Sequence, residues 1–124
     1  MATIVECSGF QFKVSEGDII KVPFPYPDRS TGRSRPALVI STGKLQNLHG
    51  LLWVVMITSA QNKGWAGDVP VTKLKKAGLP APSVIRCAKI ATIEASDATR
   101  LGVLSSPQLK LVKNMLFQEL NAKN

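Results

Sequence analysis

A chain of 124 residues has the length of one domain and is long enough to bury a hydrophobic core of its own. Hydrophobic residues make up 44% of it and charged residues 19%, which excludes a disordered tail or a low-complexity linker. The 16 Lys and Arg residues outnumber the 8 Asp and Glu residues, so the formal charge is +8. This charge favours a polyanionic partner: nucleic acid, an anionic membrane surface or an acidic protein. We treat residues 1–124 as a single domain.

The cysteines and the apolar runs predict a soluble, cytoplasmic protein without a membrane partner. Cys7 and Cys87 are far apart and form no CxxC pair, so we expect two buried thiols in a reducing compartment. The longest apolar run, Leu51–Ile57, is too short to cross a bilayer. The first residues contain no apolar stretch of signal-peptide length.

Apolar runs in the first half of the chain predict strands. Ile19–Phe24 is a β-branched run that ends in alternating prolines. The residues from Asp28 to Ser34 are turn formers and cations, which predicts an exposed, mobile loop. Ala37–Ile40 and Leu51–Ile57 predict central strands buried on both faces, with Trp53 as a core side chain.

The second half adds two further strands, at Asp68–Thr72 and Ser83–Ile93, and a helical turn at Lys73–Ala77 closed by Gly78. Ser106 and Pro107 predict the N-cap and first turn of a C-terminal helix. The apolar face predicted for this helix consists of Leu109, Val112, Leu116 and Leu120, with Met115 beside them. The predicted fold is mainly β with a C-terminal α-helix: a small, twisted, antiparallel, barrel-like sheet of the SH3-like barrel type.

The inventory of reactive residues excludes several kinds of enzyme. The one histidine, His49, is predicted to lie in a loop between two strands, so a mechanism with two histidines is excluded within one chain. The acidic residues are scattered without metal-ligand spacing, and we predict neither a metal site nor a cofactor. The motifs of nucleotide hydrolases, dinucleotide-binding domains and serine hydrolases do not occur.

RNA cleavage is chemistry that arginine and hydroxyl groups support, because the 2′-OH of the substrate is itself the nucleophile. A guanidinium can stabilise the charged phosphoryl group, and a hydroxyl can donate a hydrogen bond or relay a proton. Arg35 and Thr58 are the candidates, since each stands at the end of an apolar run. The alternatives are that Arg35 only docks a phosphate and that Thr58 only satisfies a turn.

Several short motifs in the chain are unspecific one by one, but their combination in this order is specific for one protein family. In chain order these are Gly17-Asp18-Ile19-Ile20 with Val22 and Phe24, Arg35-Pro36-Ala37-Leu38-Val39-Ile40-Ser41, Ile57-Thr58-Ser59, Gly78-Leu79-Pro80, Ser83-Val84-Ile85-Arg86, Thr92-Ile93, Leu101-Gly102 and Leu104-Ser105. Over residues 16–121 this order and spacing resemble the MazF/PemK-like toxins of type II toxin–antitoxin modules, the mRNA interferases.

The resemblance implies a sequence-selective, metal-independent endoribonuclease that cleaves single-stranded RNA and arrests growth. It implies a homodimer with an RNA groove along the subunit interface, and an antitoxin that inhibits with a flexible acidic segment. Arg35 matches the arginine of the family's Arg-Pro motif, which acts in proton transfer and in stabilising the phosphorane. Thr58 matches the hydroxyl partner on the following long strand.

The resemblance also implies that Ser59, Gln61 and Arg86 contact RNA. The cations Arg29 and Arg33 in the mobile loop, and Lys63 after the long strand, are further candidates for binding RNA phosphates. Trp65 is flanked by glycines, and we predict that it stacks on a base. Some PemK-type members use the arginine matched by Arg86 with an acidic residue two positions later, where this chain has Ala88. The alternative for Arg86 is a strand arginine whose stem covers apolar surface.

Two other functions stay open at the level of sequence. The fold also resembles that of the CcdB toxins, which poison gyrase, although those lack the Arg-Pro and Thr-Ser pairing found here. The second alternative is a catalytically weak homologue that binds RNA or antitoxin, and the alanine at position 88 is the reason to consider it.

Overall fold

The computed structural model describes residues 14–23, 34–62 and 64–120. Its strands are β1 (Asp18–Pro23), β2 (Ser34–Val39), β3 (Leu51–Ser59), β4 (Asp68–Pro70), β5 (Ser83–Glu94) and β6 (Thr99–Val103). Its α-helices are α1 (Gly43–His49), α2 (Leu74–Ala77) and α3 (Ser106–Leu120), and Ala95–Asp97 is a short 3-10 helix. The fold is therefore mainly β with a C-terminal helix, as the sequence predicts.

The six strands form one sheet in the order β4-β5-β3-β2-β1-β6, and all neighbouring strands are antiparallel. In the described residues β4 and β6 do not pair with each other, so the sheet is open rather than a closed barrel. The long strand β5 is irregular where it passes β3: Val55 pairs with Ile90, but Ile57 pairs with Ile85. Residues 86–89 therefore lie opposite a single residue of β3, Met56, and form a β-bulge in the ladder between these two strands.

Each face of the sheet covers its own hydrophobic cluster, because successive strand residues point to opposite sides. The first cluster includes Leu38, Val55, Ile57 and Ile85, and α3 packs on it with Val112, which is fully buried. We call this side the helix face. The second cluster contains Ile20, Val22, Ala37, Val39, Leu52, Val54, Met56 and Ile93 among others, and we call its side the opposite face.

Two glycines allow α2 to pack tightly against β6. Gly78 ends α2 with φ +75°, a conformation that side-chain-bearing residues rarely adopt. A Cβ atom on Gly102 would lie 2.4 Å from the carbonyl carbon of Ala77 and from the carbonyl oxygen of Lys76. Any larger residue at position 102 would therefore push the two elements apart.

Four sequence-based expectations are wrong in detail. Trp53 is 51% exposed and so is not a core residue, although its neighbours on β3 are buried. His49 is the last residue of a helix, α1, and does not lie in a loop. Leu120 is 83% exposed, so the buried face of α3 ends earlier than predicted. The first helical hydrogen bond of α3, from Leu109 N–H to the Ser105 carbonyl, places the cap at Ser105 rather than Ser106.

The other predicted elements are confirmed close to their expected positions, and β6 is a strand that the apolar pattern did not reveal. Of the expected loop from Asp28 to Ser34, residues 28–33 lie outside the described residues, and Ser34 begins β2. Cys87 is buried as expected, whereas Cys7 lies outside the described residues. No helix in the described ranges is long and apolar enough to span a membrane.

Candidate active site

Arg35 and Thr58 lie on the opposite face, on the neighbouring strands β2 and β3. Ala37 pairs with Met56, and both side chains are buried in the cluster of that face. Arg35 precedes Ala37 by two residues and Thr58 follows Met56 by two, so both side chains point to the same side of the sheet. Both are partly exposed. The register thus brings a guanidinium and a hydroxyl together at adjoining strand ends.

The turn after β3 holds the Thr58 hydroxyl. Asn62 donates a short hydrogen bond from Nδ2 to Thr58 Oγ1, and its backbone N–H donates to the Ser59 carbonyl at 3.1 Å. The backbone N–H of Gln61 donates to Ser59 Oγ at 3.1 Å. Because Oγ1 of Thr58 accepts from Asn62, its own proton is available for donation to a third group. No sequence pattern pointed to Asn62 as a partner of Thr58.

A buried ion pair joins β4 and β5 on this same face. Asp68 pairs directly with Arg86 in the ladder, and Thr58 pairs with Val84, two residues before Arg86. Arg86 donates from Nε to Asp68 Oδ1 at 3.2 Å and from Nη2 to Asp68 Oδ2 at 2.9 Å. The two side chains are only 9% and 11% exposed. Arg86 is therefore a buried, paired cation close to Thr58 in the sheet register.

Trp65 covers the ion pair from outside. Its ring centroid lies 4.2 Å from Cζ of Arg86 and 6.0 Å from Nζ of Lys89, within the range of cation–π attraction. Its backbone N–H donates to Asp68 Oδ2 at 3.0 Å, and its carbonyl accepts from the Asp68 N–H at 3.1 Å. Trp65 is 44% exposed, so much of the indole remains accessible.

Two pKa values are shifted at and beside the ion pair. The hydrogen bond from Arg86 is the main cause that lowers the pKa of Asp68; burial opposes it, while the Trp65 N–H and the charge of Arg86 act with it. Burial raises the pKa of the Cys87 thiol, and the negative charge of Asp68 adds to this. Asp68 is thus held as an anion and Cys87 as a neutral thiol, which makes Cys87 a poor nucleophile.

Of the predicted site residues, the structure brings Arg35, Thr58, Trp65 and Arg86 to the opposite face or its rim, with Ser59 and Gln61 in the turn after β3. Arg29, Arg33 and Lys63 lie outside the described residues. Ala88, where the resemblance led us to look for a carboxylate, lies exposed in the bulge of β5. The carboxylate that accompanies Arg86 comes instead from Asp68 on β4. In the described ranges no three His, Cys, Asp or Glu residues group as metal ligands.

The fold and this arginine- and hydroxyl-bearing face define a small antiparallel β-sheet protein with a candidate site for an anionic ligand. The model of the PemK-like, MazF-like toxins of type II toxin–antitoxin systems matches residues 15–120. The chain therefore belongs to this toxin family. A comparison with curated protein sequences gives no significant match.

Solved structures of MazF toxins share the fold. MazF from Deinococcus radiodurans superposes with a TM-score of 0.70 at 22% identity, over 87% of this chain and 96% of that one. A MazF toxin of Mycobacterium tuberculosis gives 0.65 at 23% identity, over 84% and 96%. An endoribonuclease of a mycobacterial species, solved with its cognate antitoxin, gives 0.70 at 13% identity, over 90% and 99%. At these identities the likeness establishes the fold alone.

Proposed function

We propose that this toxin is a metal-independent, sequence-selective endoribonuclease that cleaves single-stranded RNA by attack of the substrate 2′-OH. The observation that carries the proposal is the shared face of Arg35 and Thr58 at adjoining strand ends. Membership of the toxin family and the formal charge of +8 support it.

In the proposed reaction the 2′-oxygen attacks the adjacent phosphorus as its proton passes to a water molecule. The bond from phosphorus to the 5′-oxygen then breaks, leaving a 2′,3′-cyclic phosphate and, after protonation, a 5′-hydroxyl. The guanidinium of Arg35 stabilises the charge that develops on the phosphoryl oxygens and takes part in the proton transfer. Thr58, whose Oγ1 accepts from Asn62, donates a hydrogen bond to a phosphoryl oxygen or relays a proton from water to the leaving 5′-oxygen.

The proposed RNA-binding residues surround this pair. Ser59 and Gln61 follow Thr58 in the turn, and Trp65 offers a half-exposed indole for stacking. Arg86 belongs to the binding surface through its contact with Trp65. Arg29, Arg33 and Lys63 remain predictions from the sequence.

We further propose a cytoplasmic homodimer inhibited by an acidic antitoxin. Trp53 and Ile90 are 51% and 56% exposed on adjacent strands, and in the described residues the outer edge of β5 from Ile90 to Glu94 has no strand partner. A second copy that covers these apolar groups would remove them from water. Light scattering tests this: a mass of twice 13.4 kDa supports the dimer, and a monomer at micromolar concentration contradicts it.

A direct test of the activity is incubation of the purified protein with a long single-stranded RNA in EDTA. Discrete cuts support a metal-independent endoribonuclease. RNA that stays intact over varied sequences would contradict it, and inhibition of gyrase supercoiling by the same sample would favour the protein-poisoning alternative.

A further inference from the structure

We propose that Asp68 and Arg86 are positioning residues that hold the indole of Trp65 as a stacking platform for one unpaired RNA base beside Thr58. The inference deepens the proposed function and rests on its substrate, single-stranded RNA, although it does not need cleavage to occur.

Asp68 fixes both sides of the platform. Its carboxylate accepts two hydrogen bonds from Arg86 and one from the backbone N–H of Trp65, while its own N–H closes the turn by donating to the Trp65 carbonyl. Gly67 completes the turn with φ +89°. The Asp68 carboxylate therefore positions both the backbone of Trp65 and the guanidinium of Arg86, which lies against the indole.

Arg86 supports the indole rather than offering a free charge to RNA. Its Nε and Nη2 are engaged by Asp68, and its Cζ lies 4.2 Å from the ring centroid of Trp65. The guanidinium covers one face of the ring, and the residue is nevertheless 44% exposed. An aromatic ring that is held by a cation and still half-exposed to solvent is one on which a nucleic-acid base can stack.

The position of the platform suits a nucleotide next to the scissile one. Arg86 lies two residues after Val84, the ladder partner of Thr58, a separation of about 7 Å along β5. Lys89 adds a positive charge 6.0 Å from the ring centroid, suited to a neighbouring phosphate. A strand of RNA with its phosphate at Thr58 has the adjacent base within reach of Trp65.

The inference is tested by binding rather than turnover. In a Trp53→Phe protein Trp65 is the remaining tryptophan, because the chain has two. Since Trp53 lies on the proposed dimer surface, light scattering first checks that this protein has the same mass in solution as the wild type. Its fluorescence is followed during titration with a set of fluorescently labelled 2′-O-methyl RNA oligonucleotides, which lack the nucleophilic hydroxyl, while anisotropy of the label reports binding independently. We expect bound RNA to quench Trp65, and Trp65→Ala to weaken binding about 10-fold or more, whereas Trp65→Phe retains most of it.

Variants of the ion pair separate positioning from structure. Asp68→Asn and Arg86→Gln are expected to raise KM severalfold and to reduce quenching, with kcat within about twofold of the wild type. The charge-exchanged double variant Asp68→Arg with Arg86→Asp is expected to restore part of the binding. A thermal melt of each variant shows whether it still folds. If an ion-pair variant does not fold, the quenching of Trp65 in the Trp53→Phe protein, which keeps Asp68 and Arg86, decides the question.

The outcomes distinguish this inference from the proposed function. Oligonucleotides that bind by anisotropy without changing Trp65 fluorescence would overturn the platform, even in a protein that cleaves RNA. Quenching in a protein that never cleaves RNA would support the platform and contradict the nuclease. Absence of any RNA binding would contradict both.

Discussion

Arg35 and Thr58 lie on the same face of the sheet, each two residues beyond the paired residues Ala37 and Met56. Twenty-two residues lie between them in sequence, including the helix α1, yet the antiparallel register makes them neighbours. The pair is the core of the proposed site, because one side chain brings a permanent positive charge and the other a transferable proton.

Replacing Arg35 is expected to abolish cleavage without unfolding the protein. Arg35→Ala removes the cation proposed to stabilise the phosphorane, so the cleavage rate should fall at least 100-fold. Arg35→Lys keeps the positive charge but loses the planar guanidinium with its paired donors, so we expect its cleavage rate to lie between those of Arg35→Ala and the wild type. Single-turnover cleavage of RNA measures both rates. Lys110→Ala is a matched control, because it removes one exposed charge from α3 on the other side of the sheet. An equal loss of cleavage rate in Lys110→Ala would mean that Arg35→Ala acts only by lowering the net charge.

Asn62 is expected to act on catalysis through the Thr58 hydroxyl. Asn62→Ala frees Oγ1 of Thr58 from its donor, so the hydroxyl rotates more freely and kcat should fall about 10-fold with KM nearly unchanged. Thr58→Val should remove the proton donor and lower kcat further, whereas Thr58→Ser retains it. Steady-state kinetics on a short RNA separates kcat from KM. An Asn62→Ala protein as active as the wild type would show that the contact serves only the turn.

The ion pair between Asp68 and Arg86 predicts a particular dependence of stability on pH. The pKa of Asp68 is lowered in the folded protein, so its stabilisation is fully present above the ordinary carboxyl value of about 3.9 and is lost as pH falls through the folded-state pKa. Asp68→Asn should be less stable at pH 7 by on the order of 3 kcal/mol, because Arg86 is left buried without its carboxylate.

Below about pH 4 the difference between wild type and Asp68→Asn should narrow, since the unfolded wild-type chain then binds a proton at Asp68 that the folded protein, with its lowered pKa, does not yet bind. Urea unfolding at pH 7 and at about pH 3 measures the two differences. A gap in the free energy of unfolding that is equal at both values would mean that the ion pair does not stabilise the fold.

The contact between α2 and β6 predicts an unusual sensitivity at Gly102. A Cβ there would meet the backbone of Lys76 and Ala77 at 2.4 Å, so Gly102→Ala should lower the free energy of unfolding by about 2 kcal/mol or more. Gly43→Ala is the control: Gly43 lies in α1 with nothing within 4 Å of the added methyl group, and alanine favours helix. Denaturant unfolding should therefore find Gly43→Ala neutral or slightly stabilising, and equal effects at both glycines would contradict the packing account.

The sequence predicted those parts of the fold that depend on local pattern. Apolar runs identify the strands, and Arg35 and Thr58, whose catalytic role is our proposal, stand at the ends of two of these runs. Trp53 was predicted to be buried because every residue of its run is apolar. Which positions of the strand are buried depends on where α3 packs on the sheet, and Trp53 remains 51% exposed. The helix α1 was missed although Thr42 and Gly50 occupy its two cap positions, Gly50 with φ +68°.

The remainder of the candidate site depends on register, which no local pattern encodes. Asp68 and Arg86 are 18 residues apart in sequence, and only the pairing of β4 with β5 makes them partners. The family resemblance predicts an acidic residue where this chain has Ala88, whereas the carboxylate that pairs with Arg86 is that of Asp68 on the adjacent strand. Asn62 reaches Thr58 because the chain turns at once after β3, which the polar composition of the turn does not specify.

The most direct test of the account is to map the ends of the RNA fragments made in EDTA by the wild-type protein and by Arg35→Ala. The account predicts discrete wild-type cuts with 2′,3′-cyclic phosphate and 5′-hydroxyl ends, absent from the Arg35→Ala reaction, while both proteins melt at similar temperatures. Cuts that persist in a folded Arg35→Ala protein, or fragments with 5′-phosphate ends, would contradict the mechanism.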